Sequence, residues 1–417
     1  MNKANKKGIQ FFFPDSMDQI SPYFDFRTEE HPSHRIRQRD DLYAHETLSR
    51  LPYDGILISK PVVDGMIDRS GNYTEDHKRR IYRDGAHKFF RADKKNSSLK
   101  IMGDCGAFTY ADQSEPPYTI EEVINFYQGL GLDYGVSMDH IIFDYLSDAQ
   151  IKKGAVVKDD WIFRQDLTVD IASKFYKTVK KNNCTFTPIA VAHGWDPTSY
   201  KNAVKELQKI GYTKIAFGGM VPLRTNDVLN VLQECSTIRK PNAQFHLLGL
   251  TRLQNISEFA SLGVTSIDST SPFRQAFMDE DDNYHTNKTH YTAIKVPQTS
   301  GNTALINRIK SGEVDQQEAR TLENKCLDVL RKFDNGQRTL KHTIKVLRDY
   351  ELIYAREGTD RRAKYERTLK DAPWKKCKCG ICQKAGIEVV IFRGSERNKR
   401  RGFHNLAVFR KKLNRIF

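Results

Sequence analysis

The chain has 417 residues, of which 39% are hydrophobic and 29% charged, and its formal net charge is +15. This composition excludes a disordered chain, and the length suits one large barrel or two ordinary domains. No stretch approaches the ~20 apolar residues that cross a bilayer, and Phe11-Phe12-Phe13 is too short for a signal-peptide core.

A cytoplasmic protein with reduced thiols and no membrane partner is therefore expected. Its seven cysteines, four scattered and three clustered, make no disulfide framework. The excess of positive charge points to a polyanionic partner, most naturally nucleic acid. A basic surface kept for solubility is the alternative.

Residues 1–53 read as a polar, irregular N-terminal segment. The histidines within 31–45 suit an exposed loop better than a metal cluster. From Asp54 onward, short β-rich apolar runs alternate with amphipathic helices. The predicted strands are Gly55 to Ser59, Leu99 to Gly103, Tyr134 to Met138, Phe186 to Ala192, Lys214 to Phe217, Phe245 to Leu250 and Thr265 to Asp268. The predicted helices are Ile120 to Leu130, Leu167 to Lys180, Tyr200 to Ile210, Asp227 to Glu234 and Leu253 to Leu262. In the third of these, Ala203, Val204, Leu207 and Ile210 fall on one helical face.

Such alternation implies parallel strands joined by right-handed crossovers. Seven strands between Gly55 and Asp268 fit a (β/α)8 TIM barrel, with its main part over 54–296. An open doubly wound sheet is the alternative. It would carry a Gly-rich phosphate loop after its first strand, and Gly55 and Gly65 lack that spacing. Residues 297–373 are charged and helix-prone, and predict a helical insertion. Residues 374–417 predict a metal-binding subdomain with a basic tail, Arg397-Asn398-Lys399-Arg400-Arg401 and Arg410-Lys411-Lys412.

In such a barrel the C-terminal ends of the strands carry the active site. Those ends hold Asp104, Asp139, His193-Gly194, Gly218-Gly219 and Asp268. One aspartate after a strand is usually a helix cap. Three converging on one mouth repel each other and call for a chemical reason. Paired carboxylates suit reaction at a glycosidic carbon. One attacks the sugar carbon and the other protonates the leaving base, with the two about 5 Å apart for retention.

Cys377-Lys378-Cys379-Gly380-Ile381-Cys382 places three thiols on one side of a tetrahedral ion, and His404 is the fourth candidate. A Cys3His set with no open position is a structural zinc site. Iron–sulfur ligation or free thiols are the alternatives.

These motifs together resemble the queuine and archaeosine tRNA-guanine transglycosylase family, over roughly residues 54–280 and 374–410. Asp104-Cys105-Gly106-Ala107-Phe108 resembles the family's D-S-G-G-[FY], whose aspartate is the general acid/base. Asp139 stands where the family's aspartate binds the guanine edge, and His193-Gly194 where it has Gln-Gly. Phe217-Gly218-Gly219-Met220 resembles the glycine pair whose backbone reads the base. His246-Leu247-Leu248-Gly249-Leu250 is similar to Y-L-M-G-V. Asp268-Ser269-Thr270-Ser271-Pro272-Phe273-Arg274 resembles D-x-x-x-P-T-R, which begins with the nucleophile. Cys377, Cys379, Cys382 and His404 match the family's zinc set.

The resemblance implies that Asp268 and Asp104 are catalytic and that Asp139, His193, Gly218, Gly219 and Arg274 contact substrate. Phe108 or Tyr110 would stack on the base. Zinc would be the structural cofactor, and no nicotinamide, flavin or nucleotide cofactor is implied.

Four departures stand out. Cys105 and Ala107 replace Ser and Gly, His193 replaces Gln, the loop after Arg274 is short, and about a hundred residues separate Asp268 from Cys377. Together they resemble the DpdA branch, which places 7-cyano-7-deazaguanine in DNA. That implies DNA and a 7-deazaguanine base as partners, and it leaves open a partner protein and a homodimer. A tRNA-guanine transglycosylase, a non-catalytic zinc-stabilised nucleic-acid-binding protein and a barrel hydrolase of a small metabolite are the rival readings.

Overall fold

The computed structural model describes residues 8–66, 70–93 and 98–417. Eight parallel strands close into a barrel: β1 Gln10–Pro14, β2 Gly55–Ser59, β3 Lys100–Asp104, β4 Tyr134–Val136, β5 Thr187–Ala192, β6 Lys214–Phe217, β7 Gln244–Leu247 and β8 Val264–Asp268. With helices between successive strands, this is a (β/α)8 TIM barrel.

β1 arises inside the segment expected to be irregular. It pairs with β2 at Phe12↔Gly55 and with β8 at Phe12↔Asp268, and so closes the ring. Phe11, Phe12 and Phe13 are all buried, so the run has none of the alternation that marks a half-exposed strand.

The interior is a packed layer of side chains. Phe12, Leu57, Met102, Val136, Ile189, Val191 and Ala216 pack together, with Tyr134 and Leu248 against them. Each large apolar side chain so buried contributes about 1.5–3 kcal/mol. The outer helices begin with ordinary caps. Thr119 accepts from the Glu122 N–H before Ile120–Gly129, and Asp196 accepts from the Ser199 N–H at 2.6 Å before Pro197–Ile210. Asp196 is thus an aspartate spent on helix capping. Asp104 and Asp268 are bonded quite differently, as described below.

The chain forms two compact units. The barrel unit comprises Met1–Met17, Tyr53–Thr270 and Leu413–Phe417, and the second comprises Asp18–Pro52 and Ser271–Lys412. The stretch expected to be helical contains helices Thr303–Lys310, Gln316–Asp334, Leu340–Tyr354 and Arg362–Asp371. They share one unit with residues 18–52 and with the C-terminal helix Gly394–Leu413.

The expected basic tail is divided: its first run is largely interior, whereas Lys411 is exposed. Arg397, Arg400 and Arg401 are buried. Arg393 bonds Glu29 and Glu323 at 2.6 Å, Arg397 bonds Glu388 at 2.7 Å, and Arg400 pairs with Glu396. Arg401 donates to the carbonyls of Ala276, Val389 and Ile391. These guanidiniums hold the unit together because buried acids and carbonyls face them. Among the described residues no helix is long and apolar enough to cross a membrane.

Candidate active site

Asp104 is the last residue of β3. Its Oδ2 accepts from the Ser59 hydroxyl at 2.7 Å, where Ser59 ends the neighbouring β2, and from the Gly106 N–H at 3.1 Å. Its Oδ1 has no hydrogen-bond partner among the described residues. Burial raises its pKa to about 7, and the charges of Asp139 and Asp268 push the same way, while the Ser59 and Gly106 bonds oppose them. A carboxyl poised there can both give and take a proton at neutral pH.

Asp268 is the last residue of β8 and is buried. Its Oδ1 meets His246 Nε2 at 3.1 Å and the Gly249 N–H at 3.0 Å. Its Oδ2 has no partner among the described residues. Asp104 and Asp268 end β3 and β8 and Asp139 follows β4, so all three lie at or just past the C-terminal ends of barrel strands.

Asp139 lies in the loop after β4. It accepts from the Cys105 thiol at 3.3 Å on Oδ1 and meets His193 Nε2 at 2.7 Å on Oδ2. Burial and the neighbouring carboxylates hold the Cys105 thiol well above its usual pKa, so it remains a neutral donor. The Tyr110 hydroxyl donates to Cys105 Sγ and to the Asp139 carbonyl, both at 3.2 Å. Tyr110 is thus buried and committed to this network, whereas Phe108 is exposed.

His193 follows β5 and is 1% exposed, and its Nδ1 is buried without a hydrogen-bond partner among the described residues. The glycine pair after β6 makes room for this ring and for the loop after β4. A Cβ on Gly218 would lie 2.2 Å from His193 Cε1. Gly219 has φ +72°, and a Cβ there would lie 2.4 Å from the Ile142 carbonyl oxygen. Phe108 is 75% exposed and meets Phe143 edge to face at 5.6 Å. Arg274 is exposed on helix Ser271–Met278 of the second unit. There it and Lys399 offset part of the burial that raises the Asp18 carboxyl.

No family model matches the chain. It is 47% identical over 408 residues to the DNA-guanine transglycosylase of Salmonella montevideo, a match that covers 97% of this chain and 96% of that protein. The chain belongs to the DNA-guanine transglycosylase family. Membership makes it an enzyme, a base-exchanging pentosyltransferase.

The second unit of this transglycosylase carries the cysteine cluster. The ligand atoms of Cys377, Cys379, Cys382 and His404 lie within 4.8 Å of one another. His404 Nδ1 sits 3.3–3.5 Å from the three sulfurs, and Nε2 donates to the His285 carbonyl at 2.7 Å. Tyr284 stacks on the imidazole at 4.1 Å. Four convergent donors with an outer hydrogen bond fixing the ring suit a bound metal ion. Among the described residues no other such group occurs, and the histidines of 31–45 form none.

Sequence reasoning missed Ser59, His246 and Ser266 as site residues of the transglycosylase barrel, and Phe143 beside Phe108. The available signals were a polar residue closing a predicted strand at Ser59 and an imidazole inside the apolar run Phe245-His246-Leu247-Leu248.

Proposed function

We propose that this enzyme exchanges guanine in DNA for 7-cyano-7-deazaguanine through a covalent ester on Asp268. The carrying observation is the pair of carboxylates at the ends of β3 and β8, each with one oxygen held by two donors and the other open. The name of the Salmonella relative and the net charge of +15 support DNA as the polymer.

The target guanine leaves the base stack and enters the mouth. Asp268 Oδ2 attacks C1′ of the deoxyribose as the C1′–N9 bond breaks, and the proton on Asp104 Oδ1 goes to the departing base. The 7-deazaguanine then enters, and its ring nitrogen attacks C1′. The C1′–O bond breaks with its electron pair returning to Asp268, and the incoming base gives its proton to Asp104. Asp139, His193 Nδ1 and the Gly218-Gly219 backbone read the base edge, Phe108 covers its face, and Arg274 contacts phosphate.

Zinc is the ion assigned to the Cys3His group. Tetrahedral bonds of about 2.3 Å to sulfur and 2.0 Å to nitrogen require sulfur–nitrogen separations near 3.5 Å, close to the 3.3–3.5 Å found. The closed set leaves no position for substrate, so zinc would supply structure rather than chemistry.

The test is exchange of labelled guanine, then of 7-cyano-7-deazaguanine, into duplex DNA and into tRNA, followed by mass spectrometry of the nucleosides. Label in DNA is expected. Label in tRNA alone would reverse the polymer assignment. Asp268→Ala is expected to abolish both exchange and adduct, and full exchange by that variant would remove it as nucleophile.

A further inference from the structure

His246 and Ser266 sit side by side on β7 and β8, paired in register, with both side chains inside the barrel. His246 Nδ1 meets Ser266 Oγ at 2.8 Å, its Nε2 meets Asp268 Oδ1 at 3.1 Å, and its ring lies edge-on to Phe12 at 6.1 Å. Beneath it, toward the N-terminal end of the strands, is a cavity of about 10 Å³, room for about one water molecule. Both nitrogens of the imidazole are thus used, one of them on the carboxylate assigned to attack.

We propose that His246 is a positioning residue for the nucleophile. Together with the Gly249 N–H it holds Oδ1 of Asp268 as a spectator, so that Oδ2 alone attacks the sugar and later leaves it. The proposal rests on the reading of Asp268 as the nucleophile.

The argument is geometric. A carboxylate turns readily about its last torsion, which is broad and two-fold. Free rotation would present either oxygen to C1′, in many orientations. Two N–H donors converging on Oδ1 remove that freedom. An ionised carboxylate only accepts, so Nε2 carries the proton it shares with Oδ1, and in the neutral ring Ser266 donates its O–H to Nδ1. Ser266 in this way fixes both the tautomer and the tilt of the ring.

In the ester, Oδ1 becomes the carbonyl oxygen and still accepts from both donors. When the C1′–Oδ2 bond breaks, negative charge returns to the carboxylate, and the same fixed N–H groups meet it without rearrangement. Both half-reactions depend on this clamp, and binding of DNA does not.

The experiment is single-turnover adduct formation on a guanine-containing duplex without added deazaguanine base. Mass spectrometry of the Asp268 peptide reads the adduct, and a chase with 7-cyano-7-deazaguanine reads its breakdown. His246→Leu keeps approximate bulk and lacks the donor, whereas His246→Gln brings an amide N–H to nearly the same place. His246→Leu is expected to slow formation and breakdown roughly 100-fold each, with DNA affinity unchanged. His246→Gln is expected to recover most of both rates. Ser266→Ala, which leaves the donor but frees its ring, is expected to slow both steps by a smaller factor.

Wild-type kinetics in His246→Leu would overturn the proposal. So would equal losses in the Leu and Gln variants accompanied by equal drops in Tm, since that pattern is packing alone. Should His246→Leu not fold, the Gln and Ser266→Ala variants decide, and wild-type rates in Ser266→Ala with no rescue by Gln overturn the proposal. A wild-type enzyme that forms no adduct on Asp268 refutes the nucleophile reading itself, and that control separates the two failures.

Discussion

Asp104 is held between opposing influences, and both its chemistry and its cost to the fold follow from them. Burial and two neighbouring carboxylates favour the protonated form, while the Ser59 and Gly106 donors favour the charge, and the balance leaves the pKa at about 7. For activity, the protonated acid is depleted as pH rises, so single-turnover guanine release should fall about tenfold per unit above pH ~7. Asp104→Asn should release no guanine at any pH, and release at wild-type rates would refute the acid role. For stability, the folded pKa lies above the unfolded value of about 3.9. The folded state therefore binds more protons between those two values, and the cost of ionising this buried group grows as pH rises through that window and is complete above pH ~7. Asp104→Asn lacks the charge, so its Tm advantage over the wild type should be larger at pH 8 than at pH 5. An equal difference at the two pH values would contradict the raised pKa. Gly218 gives a second test at this scale. An added methyl must push the His193 ring out of the space it fills. Gly218→Ala is accordingly expected to reduce kcat/KM roughly 100-fold through a displacement of about 1 Å, and to lower stability by about 1–3 kcal/mol because the buried site is overpacked. Unchanged kinetics would mean that the imidazole does not touch the base.

At the scale of elements, an ion held by the Cys3His group would tie the short helix Gly380–Ala385 to the long helix Gly394–Leu413, because the three cysteines precede or begin the first and His404 lies within the second. Three thiolates brought together repel one another, and a bound cation offsets that repulsion and couples metal binding to folding. Removing the ion by chelation, or weakening the set with Cys382→Ser, should lower metal content and open the helix Gly394–Leu413 to proteolysis, read by elemental analysis and peptide mapping. A metal-free protein as protease-resistant as the native one would refute a structural role. The strands of the barrel were legible in the sequence where buried runs alternate with amphipathic helices, from Gly55 to Asp268. β1 was not, because three consecutive buried phenylalanines carry no period. The aspartates at strand ends were legible because a strand's end locates a residue at the mouth. Their partners were not. That Ser59 meets Asp104, and His246 meets Asp268, depends on which residues face each other across neighbouring strands, and register is invisible in one strand read alone. The segment 18–52 joins the second unit through pairs such as Glu29 with Arg393, 364 residues apart in sequence, a separation that no local pattern reports.

At the scale of the whole molecule, a net charge of +15 says that cations are in excess but not where they work. A run such as Arg397-Asn398-Lys399-Arg400-Arg401 looks like a phosphate-binding arm, yet Arg397 is 2% exposed and bonded to Glu388, with Glu29 beside it. A guanidinium in that position cannot reach a phosphate without leaving the buried Glu388 and the half-buried Glu29 short of a partner. Among the described residues, exposed cations outside this run include a pair on a helix of the second unit. Lys341 and Lys345 are exposed one helical turn apart on Leu340–Tyr354, a spacing that puts both on one face. Two classes of cation should therefore behave differently. Each phosphate contact contributes about 0.9 to the slope of log K against log salt. Lys341→Ala and Lys345→Ala should then each reduce the slope for duplex DNA by about 1, with Tm unchanged. Arg397→Ala should lower stability by about 3–5 kcal/mol, as expected when one member of a buried ion pair is lost, and leave the slope of the folded fraction as it was. Binding isotherms at several salt concentrations, with a melting curve for each variant, separate the two. If Arg397→Ala flattened the slope at constant Tm while the lysine variants did nothing, the C-terminal helix would be the DNA-binding element and its burial of charge would need another explanation.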